Sequence, residues 1–386
     1  MVLINDHCSS MRHLVLSAVA AAILLGGCTT PRSAVEETRA PGADTDAYLV
    51  AGYHPYWLLE AWRTYDLSVF DEIYFFSVAI DSTGEISERN GWPDRWFTMQ
   101  QDLVRRDVRI TPVVTLFSQR TFERLFAERS SSDTLMETLL SLMRDSPSAG
   151  GIQLDFEIYH PVAASVRENY TDFVARLRSG MKAIRSDSKL SLYLLAYDES
   201  DVLDEAALGR HVDYFVVQGY DLHGRTEDRT GPIAGLQGWR NRNWKYVVQR
   251  LLDLGVAHDQ IVMSVPYFGY EWPAETEEPG ARTTGRGVTI GYAPVDTAIV
   301  PGVRRSAIEE AQRHGLRRDS LSGSPYYAFE DSVGWRQGWF EDAQSLRAKY
   351  EYVREAGLHG VAIFPPAYGS DELEAVLREL LAGETL

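Results

Sequence analysis

Length, composition and charge restrict the classes of protein to be considered. The chain has 386 residues, of which 45% are hydrophobic, and this is enough for one large domain or two ordinary ones. Its formal net charge is −17, and no cluster of basic residues with interleaved aromatic residues occurs, which excludes nucleic acid as an expected partner.

Residues 1–27 have the pattern of an export signal. An apolar run of small residues, too short for a comfortable bilayer span, follows Arg12. It ends in Leu25-Gly26-Gly27-Cys28, which resembles the bacterial lipobox, where the cysteine is lipidated and becomes the mature N terminus. Residues 28–46 are polar and lack apolar periodicity, which predicts a flexible tether. We expect a lipid anchor on Cys28 that holds the protein in the cell envelope, at the outer membrane if the source is Gram-negative.

From residue 47 to residue 386 the sequence alternates strand-like and helix-like segments. Helix-like stretches such as 134–144, 169–186 and 342–356 separate most of the strand-like runs. Eight such repeats favour an α/β fold with a closed parallel (β/α)8 barrel, a TIM barrel, over an open doubly wound sheet. No glycine-rich phosphate loop follows a strand, which argues against dinucleotide binding. The eight strand-like runs are 48–56, 70–80, 108–117, 151–157, 190–197, 212–219, 260–267 and 359–365.

One segment, residues 273–326, interrupts this alternation. It contains several glycines and one short helix-like stretch near 304–314. We expect it to be a small insertion between strand seven and its helix. The sequence leaves open whether it forms one wall of a cleft or a padding loop.

Two carboxylates end the fourth strand-like run, at residues 149–157 (AGGIQLDFE). Side chains alternate along a strand, so Gln153, Asp155 and Glu157 share one face. A lone pair of acids of this kind is most often a solvated strand end. Here the apolar run indicates that both faces are covered, and burying unpaired acids costs several kcal/mol, roughly, which favours a functional role.

Other polar residues also gather where strands end. Tyr53 and His54 come late in strand one, and Tyr220 and Asp221 follow strand six. In a parallel barrel the working residues lie at the C-terminal ends of the strands, so these side chains are expected near the acids. For Tyr220 the alternative is a tyrosine of the core.

Together these motifs resemble glycoside hydrolase family 18, the chitinase family. Residues 151–157 (GIQLDFE) are similar to its strand-four signature D-G-x-D-x-D-x-E, and residues 218–224 (QGYDLHG) to its strand-six motif M-x-Y-D. Segments 230–232, 265–272 and 338–343 match in the same order, so the resemblance covers most of residues 48–380. The YFGYEW and WFEDAQSL runs are most similar to the branch of bacterial cell-wall and spore-cortex glycosidases.

The sequence also departs from the family pattern. Gly150 and Gln153 replace the first two aspartates of the strand-four motif, and Gln218 replaces the methionine before the tyrosine. Phe364 takes the place of the strand-eight tryptophan beneath the sugar, and residues 115–118 (TLFS) replace a serine-glycine-glycine segment. The last acid pair and the Tyr-Asp pair remain.

The resemblance implies a retaining, substrate-assisted glycosidase acting on β-1,4 bonds of N-acetylglucosamine in peptidoglycan or chitin-like glycans. Glu157 would protonate the leaving group and then activate water. Asp155 would accept a hydrogen bond from the substrate's acetamide N–H, and the Tyr220 hydroxyl would support the acetamide oxygen. Because Gln153 cannot titrate, we expect a pH profile simpler than, or shifted from, that of relatives with three acids.

Further residues are candidates for contacts with this glycan. Asp221 is expected to bind a sugar hydroxyl, and the aromatic residues could stack on sugar faces or simply pack. No histidine shows metal-ligand spacing, so neither a metal nor another cofactor is expected, and a monomer is the expected state. The remaining candidates for substrate binding are Tyr53, His54, Trp57, Gln153, Gln218, Tyr270, Trp272 and Phe364.

Two other functions remain open at this point. A lectin-like barrel could bind such glycans without cutting them, with Gln153 and Phe364 marking a weakened or repurposed site. The second alternative is a hydrolase that acts on the glycans of glycoproteins. Against the lectin, the motif glutamate that inactive members of the family commonly lose is present as Glu157.

Overall fold

The computed structural model describes residues 48–197, 202–295, 303 and 305–381. The predicted signal peptide, Cys28 and the tether at 28–46 lie outside this part of the chain. Within it, no helix combines the length and apolar character needed to cross a membrane.

Eight parallel strands close into a barrel, as predicted. Each barrel strand pairs with the next barrel strand along the chain. The first, β1 (Leu49–Pro55), pairs with both β2 (Glu72–Ile80) and the last, β14 (Gly360–Phe364), which closes the ring. A short strand, β3 (Ile86–Glu88), pairs antiparallel with the end of β2. Each strand-like run of the sequence supplies one barrel strand: β1 (Leu49–Pro55), β2 (Glu72–Ile80), β4 (Arg109–Leu116), β5 (Gly151–Phe156), β6 (Lys189–Leu194), β7 (Tyr214–Val217), β8 (Ile261–Pro266) and β14 (Gly360–Phe364).

Helices cover the outside of the barrel and bury one apolar face each. In α4, for example, Phe173, Leu177 and Met181 recur at helical spacing and are fully buried. Side-chain caps fix where several helices begin, and Asp342 and Ser345 form a reciprocal capping box before α8. The helices are α1 (Phe97–Arg105), α2 (Gln119–Leu125), α3 (Asp133–Asp145), α4 (Ala164–Ile184), α5 (Glu205–Gly209), α6 (Trp244–Asp253), α7 (Ala307–His314), α8 (Ala343–Glu355) and α9 (Asp371–Leu381).

A separate five-stranded antiparallel sheet is inserted between β8 and α8. It extends beyond the expected 273–326 at both ends, because the alternating apolar residues on each side of that range also form strands. Its first strand starts one residue after β8 ends, so this sheet rises directly from the barrel. Its strands are β9 (Phe268–Ala274), β10 (Val288–Gly291), β11 (Arg317–Arg318), β12 (Pro325–Asp331) and β13 (Gly334–Trp339).

At the N-terminal end of the barrel interior, one buried carboxylate is surrounded by partners. Glu72 of β2 accepts hydrogen bonds from the hydroxyl of Tyr214, at 2.7 Å, and from that of Thr111. Tyr74 donates to Tyr214 at 3.0 Å, and the guanidinium of Arg109 lies 3.5 Å from Glu72. These five residues close the N-terminal end of the barrel with a hydrogen-bonded cluster, called the plug below.

Candidate active site

The predicted acids lie at the opposite, C-terminal end of the barrel. In β5, Gln153 and Asp155 are fully buried and face the barrel interior, with Asp155 in register with Thr115 of β4. Glu157 follows the strand and is partly exposed, and its backbone N–H donates to the carbonyl of Leu116 at 3.0 Å. The two acids therefore sit on the same side of the strand, one at the mouth and one just below it.

Gln153 and Tyr53 form the floor below the acids. The Tyr53 hydroxyl donates to Oε1 of Gln153 at 2.7 Å, and Nε2 of Gln153 donates to Ser191 at 3.3 Å. Both residues are fully buried and bonded to protein groups, at 0% and 2% exposure. Their expected contact with substrate stays a prediction.

Asp155 is a buried acid with an unused acceptor. Its side chain is 3% exposed, and its Oδ1 has no hydrogen-bond partner among the described residues. Burial raises the pKa of Asp155 well above its usual range, and the negative charge of Glu157 raises it further. An unsatisfied buried acceptor costs about 1–3 kcal/mol, so a polar group that arrives here to donate a hydrogen bond would be bound favourably.

Three influences act on the pKa of Glu157, and their net effect is a rise. Burial raises the pKa of its carboxyl, a hydrogen bond from the Tyr159 hydroxyl opposes that rise, and the charge of Asp221 adds to it. Burial raises the pKa of Glu157 more than the charge of Asp221 does. A raised pKa suits a group that must donate a proton.

Tyr220 and Asp221 reach the same space from the end of β7. Gly219 lets the chain pass close to the backbone of Ser264 and the ring of Trp244, where a side chain would collide. The Tyr193 hydroxyl donates to the Tyr220 hydroxyl at 3.0 Å, which leaves the Tyr220 proton available to an incoming acceptor. The charges of both Asp155 and Glu157 act on Tyr220, as expected if all three line one pocket.

Asp221 adopts a left-handed backbone conformation, with φ of +57°. Its Oδ1 accepts a hydrogen bond from the Tyr270 hydroxyl at 2.7 Å. Burial raises the pKa of Asp221, while the bond from Tyr270 and the positive charge of Arg225 oppose that rise. Because Tyr270 belongs to β9, the inserted sheet supplies one wall of the pocket, the first of the two roles considered above.

An aromatic floor lies beside the acids. The Phe364 ring is 5.9 Å from that of Tyr220 and 5.6 Å from that of Tyr53, measured between centroids. Phe76 packs edge-on against Phe364, and Trp57, which is half-buried, packs edge-on against Phe76. Phe364 and Trp57 are thus placed where a sugar ring could lie.

Two of the predicted residues point elsewhere. His54 is on the outer face of β1, fully buried, with Nδ1 2.9 Å from the Tyr65 hydroxyl and Nε2 3.1 Å from the Leu59 carbonyl. Since strand side chains alternate, Tyr53 and His54 cannot both face the barrel interior. Burial lowers the pKa of His54 to about 3, so the ring is neutral.

Trp272 is the second of these residues. It is fully buried in the inserted sheet, with its ring 5.6 Å from that of Tyr270. Stacking on a sugar requires an open ring face, which Trp272 does not have. Gln218, by contrast, lies at the end of β7 and is partly exposed, with its backbone N–H bonded to the carbonyl of Leu194 at 2.8 Å.

Sequence reasoning missed four residues of this site. Tyr193 could have been found, because it alternates with Ser191 on the inner face of β6. Tyr159 stands two residues after Glu157 and Phe268 begins the inserted sheet, 5.5 Å from the Tyr220 ring. Arg225, whose charge acts on Asp221 and Tyr270, carries no sequence signal that distinguishes it. In the described residues, no group of three or more His, Cys, Asp or Glu side chains is arranged to hold a metal ion.

Comparison with known proteins identifies a matching family and several related sequences. The model of a family described as glycosyl hydrolases family 18 matches residues 50–367. A putative sporulation-specific glycosylase of Bacillus subtilis, YdhD, is 23% identical over 341 residues, which are 84% of this chain and 70% of that protein. Mouse chitotriosidase-1 is 24% identical over 267 residues, or 64% of this chain and only 55% of that protein.

Solved structures show the same barrel. The Bacillus cereus spore cortex-lytic enzyme SleL matches with a TM-score of 0.68 and 19% identity, over 86% of this chain and 74% of that one. A chitinase-like agglutinin from Robinia pseudoacacia matches with a TM-score of 0.72 and 17% identity, over 86% of this chain and 98% of that one. At these identities the structures establish the fold.

Proposed function

The chain belongs to glycosyl hydrolase family 18, and on that premise we propose that it is a retaining glycoside hydrolase that cleaves β-1,4 linkages next to N-acetylglucosamine. The observation that carries the proposal is the unpaired Oδ1 of Asp155, buried beside Glu157 and Tyr220. A buried acceptor without a donor is unfavourable in the free protein and is satisfied when an amide N–H enters. The acetamide group of N-acetylglucosamine offers such an N–H.

The side chains divide the reaction between them. Glu157 donates its proton to the glycosidic oxygen as the bond from that oxygen to the anomeric carbon breaks. The acetamide oxygen of the substrate attacks the anomeric carbon, so the protein needs no nucleophile of its own. Asp155 holds the acetamide N–H, the Tyr220 hydroxyl donates to the acetamide oxygen, and Glu157 then takes a proton from the water that opens the intermediate.

The remaining pocket residues would bind the sugar. Phe364 offers an apolar ring face to the sugar, although without the N–H that a tryptophan would add. Asp221, held by Tyr270, has a second carboxylate oxygen that can accept a hydrogen bond from a sugar hydroxyl. Trp57 and Gln218 are partly exposed just after β1 and β7 and would extend this binding surface.

We further propose peptidoglycan as the polymer. Similarity to a putative sporulation-specific glycosylase and to a spore cortex-lytic enzyme supports this choice. A lipid on Cys28 would confine the barrel to within a tether's reach of the cell wall and raise its effective concentration there. We propose that the protein acts in the cell envelope as a monomer.

A second candidate is a lectin that binds the same glycans without cutting them. The structural similarity to a chitinase-like agglutinin favours it, as do Gln153 in place of an acid and Phe364 in place of a tryptophan. The presence of Glu157 with a raised pKa favours the enzyme.

Product analysis separates these candidates. Wild type and Glu157→Gln would be incubated with N-acetylated and de-acetylated oligosaccharides, with peptidoglycan strands stripped of peptide, and with an N-glycan. Cleavage of only the acetylated glycans, lost in Glu157→Gln, supports the hydrolase, since a positioned general acid contributes roughly 10²–10⁴-fold in rate. Equal binding by both proteins with no products supports the lectin, and cleavage confined to the N-glycan would refute the choice of polymer.

A further inference from the structure

Tyr159 is the one direct hydrogen-bond donor to Glu157 that the structure describes. It lies two residues after Glu157, and its hydroxyl donates to Oε2 of that carboxyl. The ring itself is 59% exposed, so its position is not set by packing in the core. The mechanism above assigns Tyr159 no task.

The loop that carries Tyr159 is tied to its neighbour at the barrel mouth. The backbone N–H of Glu157 donates to the carbonyl of Leu116, and the Gln119 side chain donates to the carbonyl of His160 at 3.3 Å. These contacts join the segment on both sides of Tyr159 to the end of β4 and the start of α2. The Tyr159 hydroxyl therefore meets Glu157 from a fixed backbone.

We propose that Tyr159 is a positioning residue, which directs the transferable proton of Glu157 to Oε1 and stabilises the carboxylate that remains after the transfer. This inference rests on the proposed hydrolase function. It assigns Tyr159 to the reaction through Glu157, without any contact with the reacting atoms.

The chemistry of a carboxyl group gives the reason. Oε2 accepts the phenol proton, which leaves Oε1 as the oxygen that carries the acidic proton when Glu157 is neutral. In the first step the Oε1–H bond breaks, the proton goes to the glycosidic oxygen, and the electron pair of the breaking C–O bond stays on that oxygen. Glu157 becomes an anion, and the hydrogen bond from Tyr159 becomes charge-assisted and stronger. A contact that strengthens during the step lowers its barrier.

The other groups around Glu157 act in the opposite direction. Asp155 lies two residues earlier, near the end of β5, and Asp221 acts on Glu157 from the segment after β7. Their negative charges and the burial of the site favour the protonated form. The hydroxyls of Tyr193 and Tyr220 lie within range of its charge, and Arg225 acts on this group of acids through Asp221. The hydrogen bond from Tyr159 thus stabilises the carboxylate form of Glu157, which burial and the neighbouring acids disfavour.

Tyr159→Phe removes only the hydroxyl and tests the proposal. Loss of the bond leaves the anion less stable, so the pKa of Glu157 should rise and the alkaline limb of the kcat/KM profile should move up by about one pH unit. We expect kcat to fall about tenfold with KM little changed, because the ring remains. Tyr246→Phe, at an exposed tyrosine of α6, is the matched control and should leave the profile unchanged.

Tyr159→Ala and a direct titration complete the experiment. If Tyr159→Phe has the wild-type profile while Tyr159→Ala raises KM, the ring only contacts the glycan and the proposal is wrong. The carboxyl of Glu157, followed by ¹³C NMR in glutamate-labelled protein and assigned with Glu157→Gln, should titrate at higher pH in Tyr159→Phe. Equal midpoints would overturn the proposal whatever the activity. A wild type without hydrolytic activity would refute the proposed function, and the titration alone would then decide whether Tyr159 stabilises the carboxylate.

Discussion

The two ends of the barrel bury carboxylates in opposite ways. At the N-terminal end, Glu72 is surrounded by the hydroxyls of Tyr214 and Thr111 and by the guanidinium of Arg109. At the C-terminal end, Asp155 is almost as deeply buried, but one of its oxygens has no partner within the described residues. The first arrangement satisfies the acid within the protein, whereas the second leaves it to be satisfied by something else.

The difference separates a structural acid from a candidate catalytic acid. Burying a carboxylate is unfavourable at either end, so each must be compensated. Glu72 is compensated in the folded protein itself and should contribute to stability. Asp155 is compensated only when a ligand arrives, so its unfavourable burial should be recovered as binding or catalysis.

The largest expected effect comes from Asp155→Asn. We expect kcat on acetylated glycans to fall roughly 10²–10³-fold, because the charge that faces the acetamide N–H is lost. Stability should not fall with it. Since burial raises the pKa of Asp155 in the folded state, the unfolded chain releases that proton first as pH rises, and wild type loses stability between the usual and the raised pKa.

Urea denaturation at several pH values checks this prediction. Asp155→Asn should be at least as stable as wild type at neutral pH, and the advantage should disappear in acid, below the usual pKa of an aspartate. A variant that loses activity and stability together would place Asp155 with Glu72 as a structural acid.

Glu72→Gln should show the reverse pattern. The free energy of unfolding should fall by about 1–3 kcal/mol, since charged hydrogen bonds from buried hydroxyls are weakened. The lower part of that range is expected because the side chain of Arg109 is 36% exposed and screened by water. The kcat/KM of the folded variant should equal that of wild type, as measured at a temperature where both proteins are fully folded. A loss of activity without a loss of stability would contradict the comparison.

Tyr220→Phe and Tyr214→Phe extend the comparison to two hydroxyls. At the mouth, removal of the Tyr220 hydroxyl should lower kcat about tenfold, because it withdraws one hydrogen bond from the acetamide oxygen. At the plug, removal of the Tyr214 hydroxyl takes a partner from Glu72 and should lower the unfolding temperature instead. Steady-state kinetics and thermal unfolding of both variants check these predictions. A Tyr220→Phe variant that loses stability but not activity, or a Tyr214→Phe variant that loses activity but not stability, would contradict the comparison of the two ends.

Gln153→Asp should have the smallest effect of these variants, and we expect it to change only the pH dependence of the rate. It adds an acid below Asp155, where Tyr53 and Ser191 now hold an amide. Two like charges on one strand face compete for protons, so the pH–rate curve should broaden or shift by less than about one unit. A curve that superimposes on that of wild type would mean that the amide at position 153 does not set the pH dependence.

The sequence predicted the barrel because the pattern is local. Each strand-like run is apolar and short, and most are followed by residues at helical spacing, so eight repeats identify the architecture. The same period places Gln153 and Asp155 on one face of β5, with Glu157 directly after the strand. The inserted sheet was harder, since β9 follows β8 with one residue between them and most of it lies before the expected start of the insertion at residue 273.

Several side-chain positions depended on contacts between distant segments. Tyr270 and Trp272 lie two residues apart in β9, so the sequence gives both the same strand face. In the structure Tyr270 bonds to Asp221 at the mouth of the barrel, whereas Trp272 is buried within the inserted sheet. His54 was paired with Tyr53 because both end a strand, although alternation places it on the outer face. Glu72 was missed because a single glutamate at the start of a strand is most often exposed to solvent. Only the closed barrel shows that it is fully buried.

By itself the sequence determined the order of the barrel strands, the interior face of β5 and the family to which the chain belongs. These follow from side-chain period and from motifs a few residues long. Only the tertiary structure decided which buried acid is satisfied, which aromatic rings remain open, and that the hydroxyl of Tyr159 meets Glu157. Hydrogen bonding and burial depend on which strands the closed barrel brings face to face, and those neighbours are far apart in the chain.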